Sequence, residues 1–300
     1  MSTTTVVPLS EYMREQVKLA DEALHRVVPA DSHSPETIHK AMRYSLFAGG
    51  KRVRPMLCME ACRAVGRRVE GIETAACTLE LVHTYSLIHD DLPAIDNDDL
   101  RRGRPTNHVV FGEAMAVLAG DALLTLSFEV LAKLPGVPAE TRAALVLELA
   151  SSAGTVEGMI AGQVRDIEGE KAEPTPERLH AIHRAKTGAL LRASVRMGAI
   201  YAGATPDELD ALSRYGEHVG LAFQIVDDIL DMEESSEALG KTAGKDAAQH
   251  KITFPAVYGL DASRRMAEAE LTAAHETLAR FGDRAYWLHQ LADLIVHRKT

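Results

Sequence analysis

Apolar residues recur at three- and four-residue spacing along most of the chain, in the stretches 9–28, 71–91, 112–134, 140–165, 177–201, 206–232 and 264–281. That period puts them on one face of a helix, so each stretch is predicted helical. The alternation expected of a half-buried strand is not sustained anywhere. Several helix starts are marked. Thr205-Pro206-Asp207-Glu208 joins an N-cap, a proline at the first helical position and a capping-box glutamate. Ser34-Pro35-Glu36 and Thr175-Pro176-Glu177 open in the same way. The polar stretch 169–176 is short enough to be a loop between helices, and no repeat of fixed period is visible. The pattern predicts an all-α fold, one domain over residues 1–300.

Composition narrows the function classes. A chain of 300 residues is long enough to bury a substantial core, and 46% hydrophobic with 25% charged residues is ordinary for a globular protein. The net charge of −10 argues against a broad nucleic-acid footprint. An anionic substrate would have to rely on local basic residues and metal. Cys58, Cys62 and Cys77 have no metal-ligand spacing and read as reduced, buried thiols, which points to a cytoplasmic location. The opening residues lack a basic segment followed by an apolar one, so no signal peptide is expected. No apolar run approaches the roughly 18 residues that a membrane span needs, so no membrane span is expected.

The chemistry gathers in two aspartate clusters. The first is Asp90-Asp91-Leu92-Pro93-Ala94-Ile95-Asp96, followed by Asn97-Asp98-Asp99 and Arg101-Arg102; the second is Asp227-Asp228-Ile229-Leu230-Asp231. Like charges a few ångströms apart resist ionisation unless cations neutralise them, and oxygen-rich sites suit Mg²⁺. Asp227 and Asp231, at i and i+4, lie about 40° apart on one helix face. Asp90 and Asp96 would point to different faces of an unbroken helix. Pro93 predicts that the helix ends or bulges at Leu92-Pro93, so that Asp96 folds back toward Asp90. A single acidic run is more often a solvated helix face. Here both runs follow buried-looking segments, 85–89 and 221–226, where unpaired charge is expensive. Several Mg²⁺ ions and a diphosphate substrate are the first candidates.

Basic residues supply counter-charge. Gly49-Gly50-Lys51-Arg52-Val53-Arg54-Pro55 sets two glycines before a dense basic group, and arginine offers a planar fork for phosphate. Arg101-Arg102, Lys186-Thr187, Lys241, Lys245 and Lys251 add to it. His83 stands seven residues before Asp90 on the same helix face, where a neutral core histidine is the plain alternative.

Taken together, these motifs resemble the short-chain trans-isoprenyl diphosphate synthases from about residue 35 to the C-terminus. The 49–55 segment looks like the family's isopentenyl diphosphate segment. The two clusters look like its aspartate-rich motifs, the first in the form with a two-residue insertion. Gly162-Gln163, Lys186-Thr187, Phe223-Gln224 and Gly240-Lys241 also stand in the family's order. The resemblance implies a helical bundle around a deep central cavity, working as a homodimer. It implies an allylic diphosphate between the clusters, bridged by about three Mg²⁺ ions (Mn²⁺ as substitute). Asp90, Asp96 and Asp227 would hold the metal, with Asp91, Asp228 and Asp231 supporting. Arg101, Lys186 and Lys241 would contact the allylic diphosphate, and Thr187 and Gln224 would stabilise the carbocation left by its departure. Isopentenyl diphosphate, held by Gly50, Lys51, Arg54, His83 and Arg102, would attack through its double bond and lose a proton to the released diphosphate.

Other classes fit less well. A class I terpene cyclase shares the fold but has no use for Lys51 and Arg54. A phosphohydrolase using His89-Asp90 leaves the second cluster unexplained. A non-catalytic partner subunit commonly lacks an aspartate, and both motifs here are complete. For product length, Tyr85 lies about 7.5 Å below Asp90 along the helix and suggests a floor for a C15 tail, hence farnesyl diphosphate. Ser86 beside it is small. The segments 41–46 and 97–103 look instead like geranylgeranyl diphosphate synthases, the C20 alternative.

Overall fold

Residues 7–170, 172–237 and 252–298 are described by the computed structural model. Among them helix predominates, and the only strands are two residues long. The expected all-α class is what the chain adopts. It divides into two compact units, residues 1–59 with 70–146, and residues 60–69 with 147–300.

In the first unit, α1 (Leu9–Val27), α2 (Glu36–Leu46) and α6 (Glu113–Ala132) pack against a central α4 (Ile72–Asp90), and α5 (Asn107–Phe111) packs on α6 and α2. Helix α3 (Val53–Val65) begins in this unit. Helix α4 is apolar nearly all round and buries residues from Ile72 to Ile88, as a central helix must. Its polar side chains are satisfied locally: the Thr78 hydroxyl donates to the Ala75 carbonyl at 2.7 Å. Glu80 meets the buried Arg52 at 2.8 Å, and Arg52 also reaches Asp21 at 2.9 Å and the Leu46 carbonyl at 2.7 Å. Arg52 thus turns inward as a structural ion pair. Contrary to the expectation that no apolar run is long enough to span a membrane, α6 carries an 18-residue window of mean hydropathy 1.7 that is long and apolar enough to do so by length and composition, with a third of that window buried. One of its faces packs on α4 and α2.

In the second unit, α11 (Pro206–Glu237) packs on α10 (Ala189–Ala202) and α13 (Leu260–Thr277). With α9 (Pro176–His183) and α12 (Phe254–Tyr258) it encloses a core of Leu179, Ile182, Ile225, Ile229 and Phe254. Helix α14 is Tyr286–His297. The capping box is present: Thr205 N–H donates to Glu208 at 2.8 Å, and Glu208 N–H to the Thr205 hydroxyl at 3.3 Å. Thr175 caps α9 as expected.

Three further expectations need correction. The predicted helix 140–165 is two helices, α7 (Ala139–Ala153) and α8 (Met159–Gly169). At Gly158 a Cβ would lie 2.5 Å from the Ser151 carbonyl oxygen, and Glu157 takes φ +55°, a left-handed break that periodicity does not register. The stretch 177–201 is interrupted by a π turn, Arg184–Gly188. Ser34 does not cap α2, whose N-cap is Pro35 with no side-chain bond.

Candidate active site

In the first unit, α4 stops at Asp90 and the chain curls back on itself. Asp96 N–H donates to the Asp90 carbonyl at 2.8 Å, Asn97 N–H to Leu92 at 3.1 Å, and Asp98 N–H to Asp91 at 3.1 Å. The fold-back expected from Pro93 is therefore built, and it places Asp90 and Asp96 on one turn. Asp91 points the other way, into the protein. Its carboxylate accepts from Arg101 Nε at 2.8 and 3.1 Å, with Arg101 Nη2 at 2.6 Å. Burial pushes the Asp91 carboxyl above its ordinary value, against the pull of Arg101.

Arg101 and Arg102 sit on a hairpin of Leu100–Arg101 and Arg104–Pro105, with Arg101 opposite Arg104. Its two-residue turn, Arg102-Gly103, has φ +53° and +72°, the positive values a tight hairpin demands. The hairpin is tied down by Tyr44, whose hydroxyl donates to the Pro105 carbonyl at 2.8 Å, and by Thr106, whose hydroxyl donates to the Asp98 backbone carbonyl at 2.7 Å. Arg102 thereby lands on the 49–54 segment: it bonds the Gly49 carbonyl, and a Cβ on Gly50 would lie 2.8 Å from its guanidinium. His83 is half-buried, and its pKa is held well below the ordinary value by burial and then by the charges of Arg54, Arg102, Arg101 and Arg52. So Gly50, Arg54, His83 and Arg102 share one basic neighbourhood, with Lys51 exposed on the same segment.

Tyr85 is buried with its ring edge-on to His89, centroids 5.7 Å apart, and burial and the Asp90 charge push its hydroxyl up to about 12. The Ser86 hydroxyl donates to the His83 carbonyl at 2.9 Å. His89 lies 3.0 Å from the Val117 carbonyl, and Gly120 leaves room for its ring, so it packs against α6.

In the second unit, Asp227 is exposed and Asp231 half-buried one turn on, while Asp228 is buried. Asp228 accepts from Phe254 N–H at 2.8 Å and lies 3.3 Å from His183 Nε2. Gln224 Nε2 is 2.9 Å from His183 Nδ1. The π turn carries Lys186 and Thr187, and Lys186 Nζ meets Asp166 at 2.5 Å. Gly162 makes this possible, since a Cβ there would lie 2.1 Å from the Lys186 backbone nitrogen. Lys241, Lys245, Lys251 and Gly240 lie outside the described residues.

Sequence reasoning missed three partners: Asp166, His183 and Arg298. Asp166 had a signal, standing four residues after Gly162 on the same face of α8. Arg298 donates to Asp227 Oδ1 at 2.8 Å and lies 4.1 Å over the Phe223 ring; nothing local in the sequence joins it to them.

Among the described residues no three His, Cys, Asp or Glu side chains form a ready metal cage. The donor set nonetheless fits Mg²⁺, which takes one or two carboxylates and completes its shell with water and substrate phosphate. Asp90 with Asp96, and Asp227 with Asp231, offer hard oxygen donors of that kind.

Residues 35–283 match the polyprenyl synthetase family. The chain is 44% identical over 294 residues to a geranylgeranyl diphosphate synthase of Cyanophora paradoxa, covering 97% of each. It is 49% identical over 290 residues to a chloroplastic geranylgeranyl pyrophosphate synthase of Capsicum annuum, covering 96% of this chain and 78% of that one. Its fold superposes on a solved FPP/GFPP synthase of Zymomonas mobilis with a TM-score of 0.86 at 35% identity, covering 96% and 98% of the two chains. The chain belongs to the polyprenyl synthetase family and is a trans-prenyltransferase acting on isoprenoid diphosphates.

Proposed function

We propose that this prenyltransferase condenses isopentenyl diphosphate head-to-tail with allylic diphosphates and that its main product is geranylgeranyl diphosphate. The observation that carries the condensation is the carboxylate turn at Asp90 and Asp96 on the same unit as the Gly50, Lys51, Arg54, His83 and Arg102 neighbourhood. A cyclase has no use for the second of these.

Magnesium ions, about three by family likeness, would be held by Asp90, Asp96 and Asp227; when bound they assist the diphosphate to leave as Lewis acids. Lys186, presented by the π turn and steadied by Asp166, would bind the allylic diphosphate, together with Lys241. Lys51, Arg54 and Arg102 would clamp isopentenyl diphosphate and fix its double bond for attack. His83, kept neutral by burial and then by its arginine neighbours, offers hydrogen bonds there without adding a like charge. Thr187 and Gln224 would turn oxygen dipoles on the cation.

The farnesyl expectation gives way to the C20 alternative. Relatives 44% and 49% identical carry the geranylgeranyl name. The Tyr85 ring is engaged with His89 of its own helix and Ser86 with its own backbone, which supports a tail passing on the Ser86 side. Homodimerisation fits the apolar residues Val109, Val110, Val117 and Leu118, which α5 and α6 leave exposed.

Chromatography of dephosphorylated products tests this reading. The parent should yield mostly C20, Tyr85→Ala should keep that product, and the same preparation should sediment as a dimer. A parent yielding mostly C15, moved to C20 by Tyr85→Ala, would overturn the C20 reading and restore Tyr85 as the floor.

A further inference from the structure

His183 is a buried group that prenyl transfer, as described above, leaves without a task. It ends α9 immediately before the π turn that carries Lys186 and Thr187. Its ring stacks on Phe254, centroids 5.3 Å apart and planes 23° from parallel. Its two nitrogens meet residues one turn apart on α11. Nδ1 lies 2.9 Å from Gln224 Nε2, and Nε2 lies 3.3 Å from Asp228 Oδ2. Asp228 is itself fixed by the Phe254 N–H at 2.8 Å.

The donor and acceptor roles follow from elementary chemistry. An ionised carboxylate only accepts, so the imidazole proton belongs on Nε2, facing Asp228. That nitrogen is buried without a regular hydrogen bond, and the Asp228 carboxylate 3.3 Å away is the charge it faces. Nδ1 is then a lone pair, and Gln224 must turn its NH₂ toward it. A flipped amide would set its oxygen against that lone pair, so the orientation of Gln224 is decided by the histidine tautomer. Its carbonyl oxygen is aimed away from the ring.

We infer that His183, set by Asp228, is a positioning residue that holds the Gln224 carbonyl oxygen toward the allylic cation. This rests on the reading of Gln224 as a cation-stabilising dipole. It also explains why Asp228 is buried against protein groups in a motif whose first aspartate is exposed. The carboxylate acts at a distance, through the imidazole, on the orientation of one amide.

Steady-state kinetics on purified full-length variants, with isopentenyl diphosphate, geranyl diphosphate and Mg²⁺, tests the inference. His183→Phe keeps the ring stacked on Phe254 but removes both nitrogens. It should lower kcat about 10- to 100-fold, the usual effect of losing an outer partner, with both KM values nearly unchanged. Gln224→Ala should give a similar loss, and the double variant should be no slower than Gln224→Ala alone, because the two residues act as one unit. His183→Asn, which restores an acceptor near Nδ1, should recover more kcat than His183→Gln, which restores a group near Nε2. That pair decides the matter if His183→Phe does not fold. Additive losses, a parental kcat in His183→Phe or Gln224→Ala, a higher KM for geranyl diphosphate with kcat unchanged, or His183→Gln outperforming His183→Asn would each overturn the inference. A parent enzyme without turnover would refute the prenyl-transfer reading itself, and this inference with it.

Discussion

The two aspartate motifs reach the same division of labour by different backbone routes. In the second, an unbroken helix does the work: Asp227 and Asp231 share a face, and Asp228, about 100° round the axis, is turned inward. In the first, the helix ends at Asp90 and a set of backbone hydrogen bonds returns Asp96 to it. In both, the leading aspartate stays accessible while the one after it is buried, Asp91 at 3% exposure and Asp228 at 7%. Each buried carboxylate has a protein partner, Arg101 in one case and His183 with the Phe254 N–H in the other. Each pair of adjacent aspartates is therefore an accessible residue, the one proposed to face metal, next to a structural one. What the structure shows of Asp91 and Asp228 is contact with neighbouring protein groups.

The largest effect should come from the accessible members. Asp90→Ala or Asp227→Ala should lower turnover by roughly three orders of magnitude or more, since each removes a ligand to the charge that stabilises the leaving diphosphate. Folding should survive, because each substitution also relieves carboxylate repulsion. Initial rates at saturating Mg²⁺, with circular dichroism as the folding control, check both. Near-parental turnover in either would break the assignment of that residue to metal.

The buried members should respond in the opposite sense, in stability before rate. Asp91→Ala strips Arg101 of its hydrogen-bonded partner, and Asp228→Ala leaves the Phe254 N–H buried without its acceptor and takes the facing charge from His183. Each should lower unfolding stability by about 1.5–3 kcal/mol, the usual worth of a charged hydrogen bond. Urea melts of the four aspartate variants side by side sharpen the comparison. Equal stabilities across the four would erase the division.

Much of this arrangement was legible in the sequence because it is local. Helical period and spacing are enough to place Asp227 and Asp231 together, and Pro93 is enough to predict the turn at Asp90. The Arg102-Gly103 hairpin was less legible, since two-residue strands have no alternation to detect; Gly103 was its one local mark. Partners brought together by tertiary packing left no signal, as with Arg298 at Asp227, 71 residues away, or His183 between Gln224 and Asp228. The break at residues 154–158 was hidden because apolar residues continue in register on both sides of it, while the backbone contact at Gly158 decides the outcome. Tyr85 shows a further limit. Its size and depth were legible, but its engagement with His89 was not, and side-chain direction decides whether bulk becomes a barrier.

A third carboxylate isolates the effect of burial from that of pairing, and gives the smallest expected effect. Glu208, like Asp91, is paired with an arginine: Arg67 donates to it at 2.7 and 3.1 Å. It sits near the surface at the start of α11, where the Arg67 hydrogen bonds and then the Thr205 N–H bring its pKa down to about 2. Asp91, though also paired, is displaced upward because burial outweighs its arginine. The two should therefore act on pH dependence with opposite sign. A carboxylate whose folded pKa is depressed binds fewer protons in the native state than in the unfolded one, so its contribution is full above about pH 4.5 and is lost as pH falls toward about 2. Glu208→Gln should flatten the decline in melting temperature across that window and lower stability at pH 7 only slightly, since exposed ion pairs are worth roughly 0.2–1 kcal/mol. Thr205→Ala removes the other half of the capping box and should cost about 1 kcal/mol with little change in the pH profile, because Arg67 remains the main partner of Glu208. Melting temperatures from pH 2 to 7 for the parent and both variants read this directly. If the acid slope survives in Glu208→Gln, the Arg67 pair is not its source, and the contrast drawn between an exposed and a buried carboxylate–arginine pair fails.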